Sequence, residues 1–256
     1  MRWIQKKNEP HELTEWRIRY AKDNNFGYDL MRQDKNVTKV VTESLVEEQG
    51  WLCAYSGMRI ESYQDIENNG TKYHVWCCHI DHVKAQDYCT AEETVIYINM
   101  VASYPGPNYE NELPYGGHKK RNWPNYNKGE QNLFVSPLDP SCETRFVFDF
   151  QGNIKHNDGD TAAKTTIEKL GLNSIDLRKE RRGRIQGTLG LKNDLPIKDA
   201  RIRLRKLKSQ NQGRLEPFCF VLIQVLEKHI KRLEKIAKKT AKYKPINKIN
   251  PQNRRK

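Results

Sequence analysis

Residues 77 to 86 read CCHIDHVKAQ and place Cys77, Cys78, His79, Asp81 and His82 within six positions. The pair Asp81-His82 suits the cutting of a phosphodiester. That reaction needs an activated water, a cation on the phosphate oxygens and support for the leaving oxygen. A histidine, with an ordinary pKa near ~6.5, can act as a base at neutral pH. A carboxylate suits a hard divalent ion such as Mg²⁺. An aspartate-histidine dipeptide is common, however, and by itself fits an exposed or buried histidine equally well. Asn99 in YINMVAS and His118 in GGHKKRN follow downstream, 17 and 19 residues apart.

These residues need elements to hold them. The apolar and aromatic run at 73–83 predicts a strand ending near His82. His79 then shares a face with Asp81 and could help hold a cation or touch a phosphate. Strict alternation puts Asp81 and His82 on opposite faces, so both serve one site only if the strand ends or bulges there. CAYSGMRI upstream predicts a hairpin turning at Ser56-Gly57. Residues 65–72 read as a polar loop, 90–103 as a loop turning into a short helix, and 104–117 as irregular, with three prolines and three glycines. A helix start is expected at His118.

Helices are expected at 12–22 and 35–49, the second stopped by Gly50. Phe146, Phe148 and Phe150 alternate ahead of Gly152, which predicts a hairpin over 144–156. Residues 159–173 predict a helix capped by Asp160 and closed by Gly171 and Leu172. Basic helices should fill 174–212, broken at Gly190 and Pro196. A last helix at 216–239 carries an apolar stripe from Phe218 through Leu222, Val225, Leu226, Ile230 and Leu233 to Ala237. The tail from 243 is expected to be disordered.

Charge is divided unevenly. The chain of 256 residues carries +13, yet residues 178–256 hold 25 Lys/Arg against 6 Asp/Glu, which leaves −6 for residues 1–177. A basic back half on a near-neutral front half points to a polyanion, nucleic acid first. No apolar run is long enough to span a bilayer, and MRWIQKKNEPHEL lacks the apolar core of a signal peptide. A cytoplasmic location is expected. In a reducing compartment the six scattered cysteines default to free thiols.

The order His82, Asn99, His118 resembles the signature of the HNH nucleases, whose site is a ββα-metal finger. The resemblance implies that His82 deprotonates the water, Asn99 braces the loop holding it, and Asp81 and His118 hold the catalytic cation. Lys84, Lys119, Lys120 and Arg121 would contact the nucleic acid. The segments MRWIQKKNEP, EEQGWLCAYSGMRI, HIDHVKAQ, INMVAS, SPLDPSCETRFVFDFQGNIK and TIEKLGLN occur in this order. Together they resemble the PtuB nucleases of Septu anti-phage systems, which also accompany some retrons. The likeness runs over roughly residues 1 to 185. It implies a PtuA-like ATPase partner and, for a retron, a reverse transcriptase with its nucleic acid.

There is one departure. Such proteins hold a structural zinc with cysteine pairs on the first hairpin and near the third motif. Here those positions read Cys53 with Ser56, and Gly116-Gly117. A serine is a poor zinc ligand and glycine offers none. The zinc is therefore expected to be absent, with packing by Trp51, Tyr55 and Trp76 in its place. Cys53 with Cys77, Cys78, Cys89 or His74 is the alternative way to rebuild it.

The expectation is thus an α+β protein with an HNH ββα-metal finger embedded among helices. Its parts would be an N-terminal helical segment at 1–50, the finger with an inserted loop at 51–125, a completing hairpin and helices at 126–190, basic helices at 191–242 and the tail at 243–256. The cation would be Mg²⁺ or Mn²⁺, and the substrate DNA or RNA. The competing expectation is a non-catalytic basic adaptor, with a degenerate finger, that binds nucleic acid or an ATPase.

Overall fold

Asp34 starts the helix that packs against Met100–Ser103, the strand paired with the one carrying Asp81. In the computed structural model of the chain, its carboxylate accepts from the backbone N–H groups of Asn36 and Val37 at 3.1 and 3.2 Å, a side-chain N-cap. The structure describes residues 1–61, 66–68, 71–73, 76–106, 111–210 and 212–242. His74 and the tail from 243 lie outside the described residues.

Three helices open the chain: α1 (His11–Tyr20), α2 (Tyr28–Gln33) and α3 (Lys35–Glu48). Val37, Val41 and Leu45 recur every four residues on α3 and are buried together with Val46. Gly50 ends the helix at φ +63, and Trp51 N–H returns to the carbonyl of Val46.

Across the segment expected as a loop at 65–72, β1 (Ile66–Asn68) pairs antiparallel with β2 (Thr71–Tyr73). The strand expected over 73–83 is shorter. It is β3 (His79–His82), paired antiparallel with β4 (Met100–Ser103). The hairpin expected around Ser56-Gly57 reduces to one bridge, Leu52 with Arg59.

Residues 93–103 hold no α-helix. Two 3₁₀ turns, Glu93–Val95 and Tyr97–Asn99, lead straight into β4. A two-stranded pair leaves the outer edge of β4 in need of partners. Buried Gln49 at the end of α3 supplies them. Its amide accepts from Ala102 N–H at 2.7 Å and donates to the Ala102 carbonyl at 2.9 Å. Lys6 donates to the carbonyl of Met100 at 3.0 Å.

The short α4 (Gly116–Lys120) then meets this pair, Gly117 lying against His79 and Ser103 and Lys120 reaching the His82 carbonyl. The hairpin of β5 (Phe146–Phe148) and β6 (Ile154–His156) forms as its alternating phenylalanines predict. Asp160 caps α5 (Thr161–Lys169), and Leu172 N–H closes back on Ile167 after Gly171 at φ +58. The basic helices are α6 (Ile175–Leu189), α7 (Ile197–Ser209) and α8 (Cys219–Lys242).

The stripe on α8 is buried only as far as Ile230, because Leu233 is half-buried and Ala237 exposed. Buried Phe218 and Leu215 tie this end of the chain to the region before the site. Their N–H groups donate to the carbonyls of Gly57 and Gly50 at 3.1 and 3.0 Å. The fold is mixed helix and sheet, as the α+β expectation has it. No described helix is long and apolar enough to cross a membrane.

Candidate active site

β3 alternates regularly. His79 and Asp81 are half-buried on one face, while Ile80 and His82 are buried on the other. His82 pairs with Met100 at the last register position and retains 4% exposure. The strand therefore does not bulge to bring Asp81 and His82 onto one side.

His82 is held by two contacts. Its Nε2–H donates to the carbonyl of Thr94 at 2.8 Å. A carbonyl can only accept, so in the neutral ring the lone pair lies on Nδ1. The ring meets that of Tyr28 nearly at right angles, with centroids 4.6 Å apart. Burial lowers the pKa of His82 from its ordinary 6.5, and Lys120 pushes the same way. The Thr94 carbonyl and Asp81 oppose the shift without reversing it. His82 is thus neutral at neutral pH.

The loop between β3 and β4 is cross-braced by Asn99. Its side-chain oxygen accepts from Lys84 N–H at 2.7 Å, and its amide donates to the Lys84 carbonyl at 3.2 Å. Both bonds fall on one residue, two places beyond His82. The half-buried Cys89 thiol donates to the same Lys84 carbonyl at 3.4 Å. Glu93 pairs with Lys84 at 2.6 Å and caps the turn at Thr90.

α4 approaches the β3–β4 pair because residue 117 is glycine. A Cβ there would stand 2.7 Å from Ser103 Oγ and 2.8 Å from His79 Nε2. This approach stacks His118 on His79, with centroids 5.2 Å apart and the rings 26° from parallel. Burial, and then His79, lowers the pKa of His118; Glu112 and Asp81 act in the opposite direction. The two imidazoles differ in what they can offer. His79 donates Nδ1–H to the carbonyl of Pro105 at 2.7 Å, which leaves an Nε2 lone pair. His118 accepts from Leu113 N–H through Nδ1 at 3.2 Å, so that lone pair is in use.

Asp81 receives two donors on one oxygen. Tyr55 hydroxyl bonds to Oδ2, and Lys120 Nζ lies 3.3 Å from the same atom. Lys120 Nζ also donates to the carbonyl of His82 at 2.7 Å. Lys120, expected at a phosphate, is instead 2% exposed and faces inward. A lysine buried this deeply is tolerated because its ammonium is paired. Of the other expected nucleic-acid contacts, Lys119 is exposed. Arg121 is exposed and pairs with Glu112, and Lys84 is committed to Glu93.

The chemistry of Asp81 with His79 or His118 suits a divalent ion that keeps most of its water. Among the described residues, no three His, Cys, Asp or Glu side chains stand close enough together to hold a metal ion. At the zinc positions, Cys53 accepts from Tyr104 N–H at 3.3 Å, and Ser56 Oγ accepts from Met58 N–H at 3.3 Å. Trp51 packs on Trp76 with centroids 5.6 Å apart, whereas Tyr55 turns to Asp81.

Sequence spacing carries no sign of Tyr55, Thr94 or Gln49, because their partners Asp81, His82 and Ala102 lie 26, 12 and 53 positions away. The single available signal for Lys120 was its place two residues after His118.

No protein-family model matches the chain. The chain is similar to the "Retron Vc95 putative HNH endonuclease" of Vibrio cholerae serotype O1 biovar El Tor. The two are 28% identical over 159 residues, 59% of this chain and 66% of that protein. The match therefore spans just under two thirds of the relative's length.

Proposed function

We propose that the chain is a metal-dependent HNH-type endonuclease that hydrolyses nucleic-acid phosphodiesters. Asn99 is the observation that carries the reading. It bonds both backbone groups of Lys84 in the loop that follows His82, the bracing role that the HNH resemblance implies. The order β3, loop, β4, α4 supports the same reading, since it carries Asp81, His82, Asn99 and His118 in turn. So does the name of the Vibrio cholerae relative.

In this mechanism His82 Nδ1 takes the proton from the attacking water. Thr94 fixes the tautomer and stabilises the ring as it becomes charged. Asp81 would hold the cation with Nε2 of His79, or with His118 once its Nδ1 is released from Leu113 N–H. Bound there, the ion would supply charge stabilisation at the phosphate and the leaving oxygen. Lys119 and Arg121 hold the phosphate from outside, and the basic helices grip the backbone without reading sequence. The setting is anti-phage defence of the PtuB and retron kind. A PtuA-like ATPase is the partner, together with a retron reverse transcriptase and its nucleic acid where a retron is present.

The burial of His82 imposes a requirement. The attacking water must reach Nδ1 through the 4% of the residue that stays exposed. The same burial favours a second reading, in which the chain is a basic adaptor that binds nucleic acid or an ATPase and cuts nothing. Plasmid and RNA cleavage with Mg²⁺, Mn²⁺ or EDTA, with and without the partner ATPase, separates the two. Cation-dependent cleavage that His82→Ala slows by at least ~10²-fold supports the nuclease. Cleavage that survives His82→Ala but not His79→Ala would move the base to His79. No cleavage under any condition leaves the adaptor.

A further inference from the structure

We infer that Lys120 is an internal counter-cation that keeps the divalent-ion affinity of Asp81 low until a nucleic-acid phosphate arrives. This rests on the reading of Asp81 as a cation ligand. Two features set Lys120 apart from the surface lysines. Its side chain is fully buried, so its charge is poorly screened and cannot swing into water. Its ammonium also lies 3.3 Å from Asp81 Oδ2 and 2.7 Å from the His82 carbonyl, between the two residues of the dipeptide.

Tyr55 shares Oδ2 with it, and the carboxylate is thereby fixed with its second oxygen free. Fixing a ligand favours binding. A positive charge beside that ligand opposes a second cation, and the opposition is strong at short range away from water. The charge effect should win, because Tyr55 alone still orients the carboxylate if Lys120 is neutralised. With Lys120 in place, the charge of Asp81 already faces one cation, and a divalent ion added there leaves an excess of positive charge. A phosphate oxygen restores the balance. Ion and polyanion should therefore bind cooperatively, each raising the affinity of the other by the same factor.

A merely structural Lys120, pinning α4 to β3 through the His82 carbonyl, predicts that removing its charge leaves this linkage unchanged. Mn²⁺ binding, read by electron paramagnetic resonance, tests the inference without relying on turnover. In the wild-type chain, uncleavable phosphorothioate DNA or RNA should tighten Mn²⁺ binding by at least about tenfold. Lys120→Gln keeps a hydrogen-bond donor and removes the charge. It should tighten Mn²⁺ binding about tenfold without nucleic acid and shrink the linkage.

Wild-type Mn²⁺ affinity that ignores the oligonucleotide would overturn the inference, even if Lys120→Gln failed to fold. So would a Lys120→Gln chain of normal melting temperature whose affinity is unchanged or weaker. Asp81→Asn that leaves Mn²⁺ binding intact would instead remove the underlying reading of Asp81. Asp81-dependent binding without cleavage would sink the nuclease reading and leave the role of Lys120 standing.

Discussion

The imidazole of His82 gives its Nε2 proton to the carbonyl of Thr94 at 2.8 Å, from a position 4% exposed. One bond thus does two jobs. It satisfies a buried polar atom and fixes which nitrogen keeps the lone pair. Burial lowers the pKa of the ring below 6.5, so the folded chain resists protonation that the unfolded chain accepts. The sign follows from linkage. Stability from this group is fully present above the unfolded value near 6.5 and is lost as pH falls towards the lower folded value.

The wild-type melting temperature should therefore drop between about pH 6.5 and 5.5, where unfolding takes up as much as one extra proton at His82. In His82→Gln the amide can still donate to Thr94 but does not titrate, so the drop should be smaller. Equal drops in thermal melts of the two chains would assign the acid sensitivity elsewhere.

Asn99→Ala removes both bonds to Lys84 while leaving its backbone bond to Val83 in place. The loop should loosen where it follows the candidate base. Outer-shell losses of this kind typically cost about 10–100-fold in activity. The expected result is a fall in kcat of that size with KM little changed. Asn99→Asp keeps the acceptor for Lys84 N–H and should recover part of the rate. A fall confined to KM would place Asn99 at the substrate instead.

These residues differ in how far the sequence reveals them. Asp160, Gly171 and Leu172 announce the ends of α5, because a cap depends on neighbours within a few positions. The alternating phenylalanines of β5 announce a hairpin for the same reason. β4 was hidden. Its residues Met100 to Ser103 are all buried, so they lack the alternation that marks a strand with one wet face. The roles of Lys120 and Tyr55 were hidden too, since they meet Asp81 from 39 residues after it and 26 residues before it. Local pattern carries caps and turns, whereas the partners of a buried carboxylate are fixed only by tertiary packing.

Gly117→Ala tests the docking of α4. The added Cβ would meet Ser103 Oγ at 2.7 Å and His79 Nε2 at 2.8 Å, closer than packed atoms allow. The helix must move off the β3–β4 pair, and overpacking of this kind costs about 1–3 kcal/mol. The melting temperature should fall. Separation of His79 from His118 should also weaken divalent-ion binding. Gly183→Ala is the control, because a Cβ there meets nothing within 4 Å. If Gly117→Ala melts like that control, the close approach is not a constraint.

The last prediction concerns the far end of α8. Lys228, Lys231, Lys235 and Lys238 recur at steps of three and four, the spacing of one helical face. With Arg232 and Lys239 they line a groove around Ile236. Lys228 spends a proton on the carbonyl of Phe148, and Arg232 on that of Asn193. Arg201 and Lys208 of α7 are paired with Glu234 and Glu227, so their charge is partly spent within the protein. If Lys231 and Lys235 each neutralise a phosphate of duplex DNA, replacing both with Gln should lower the slope of log K against log salt by about 1.8, at ~0.9 per contact. The loss should be alike for unrelated sequences, since backbone contacts carry no base information. An unchanged slope in filter binding across a salt series would show that this groove does not hold the duplex.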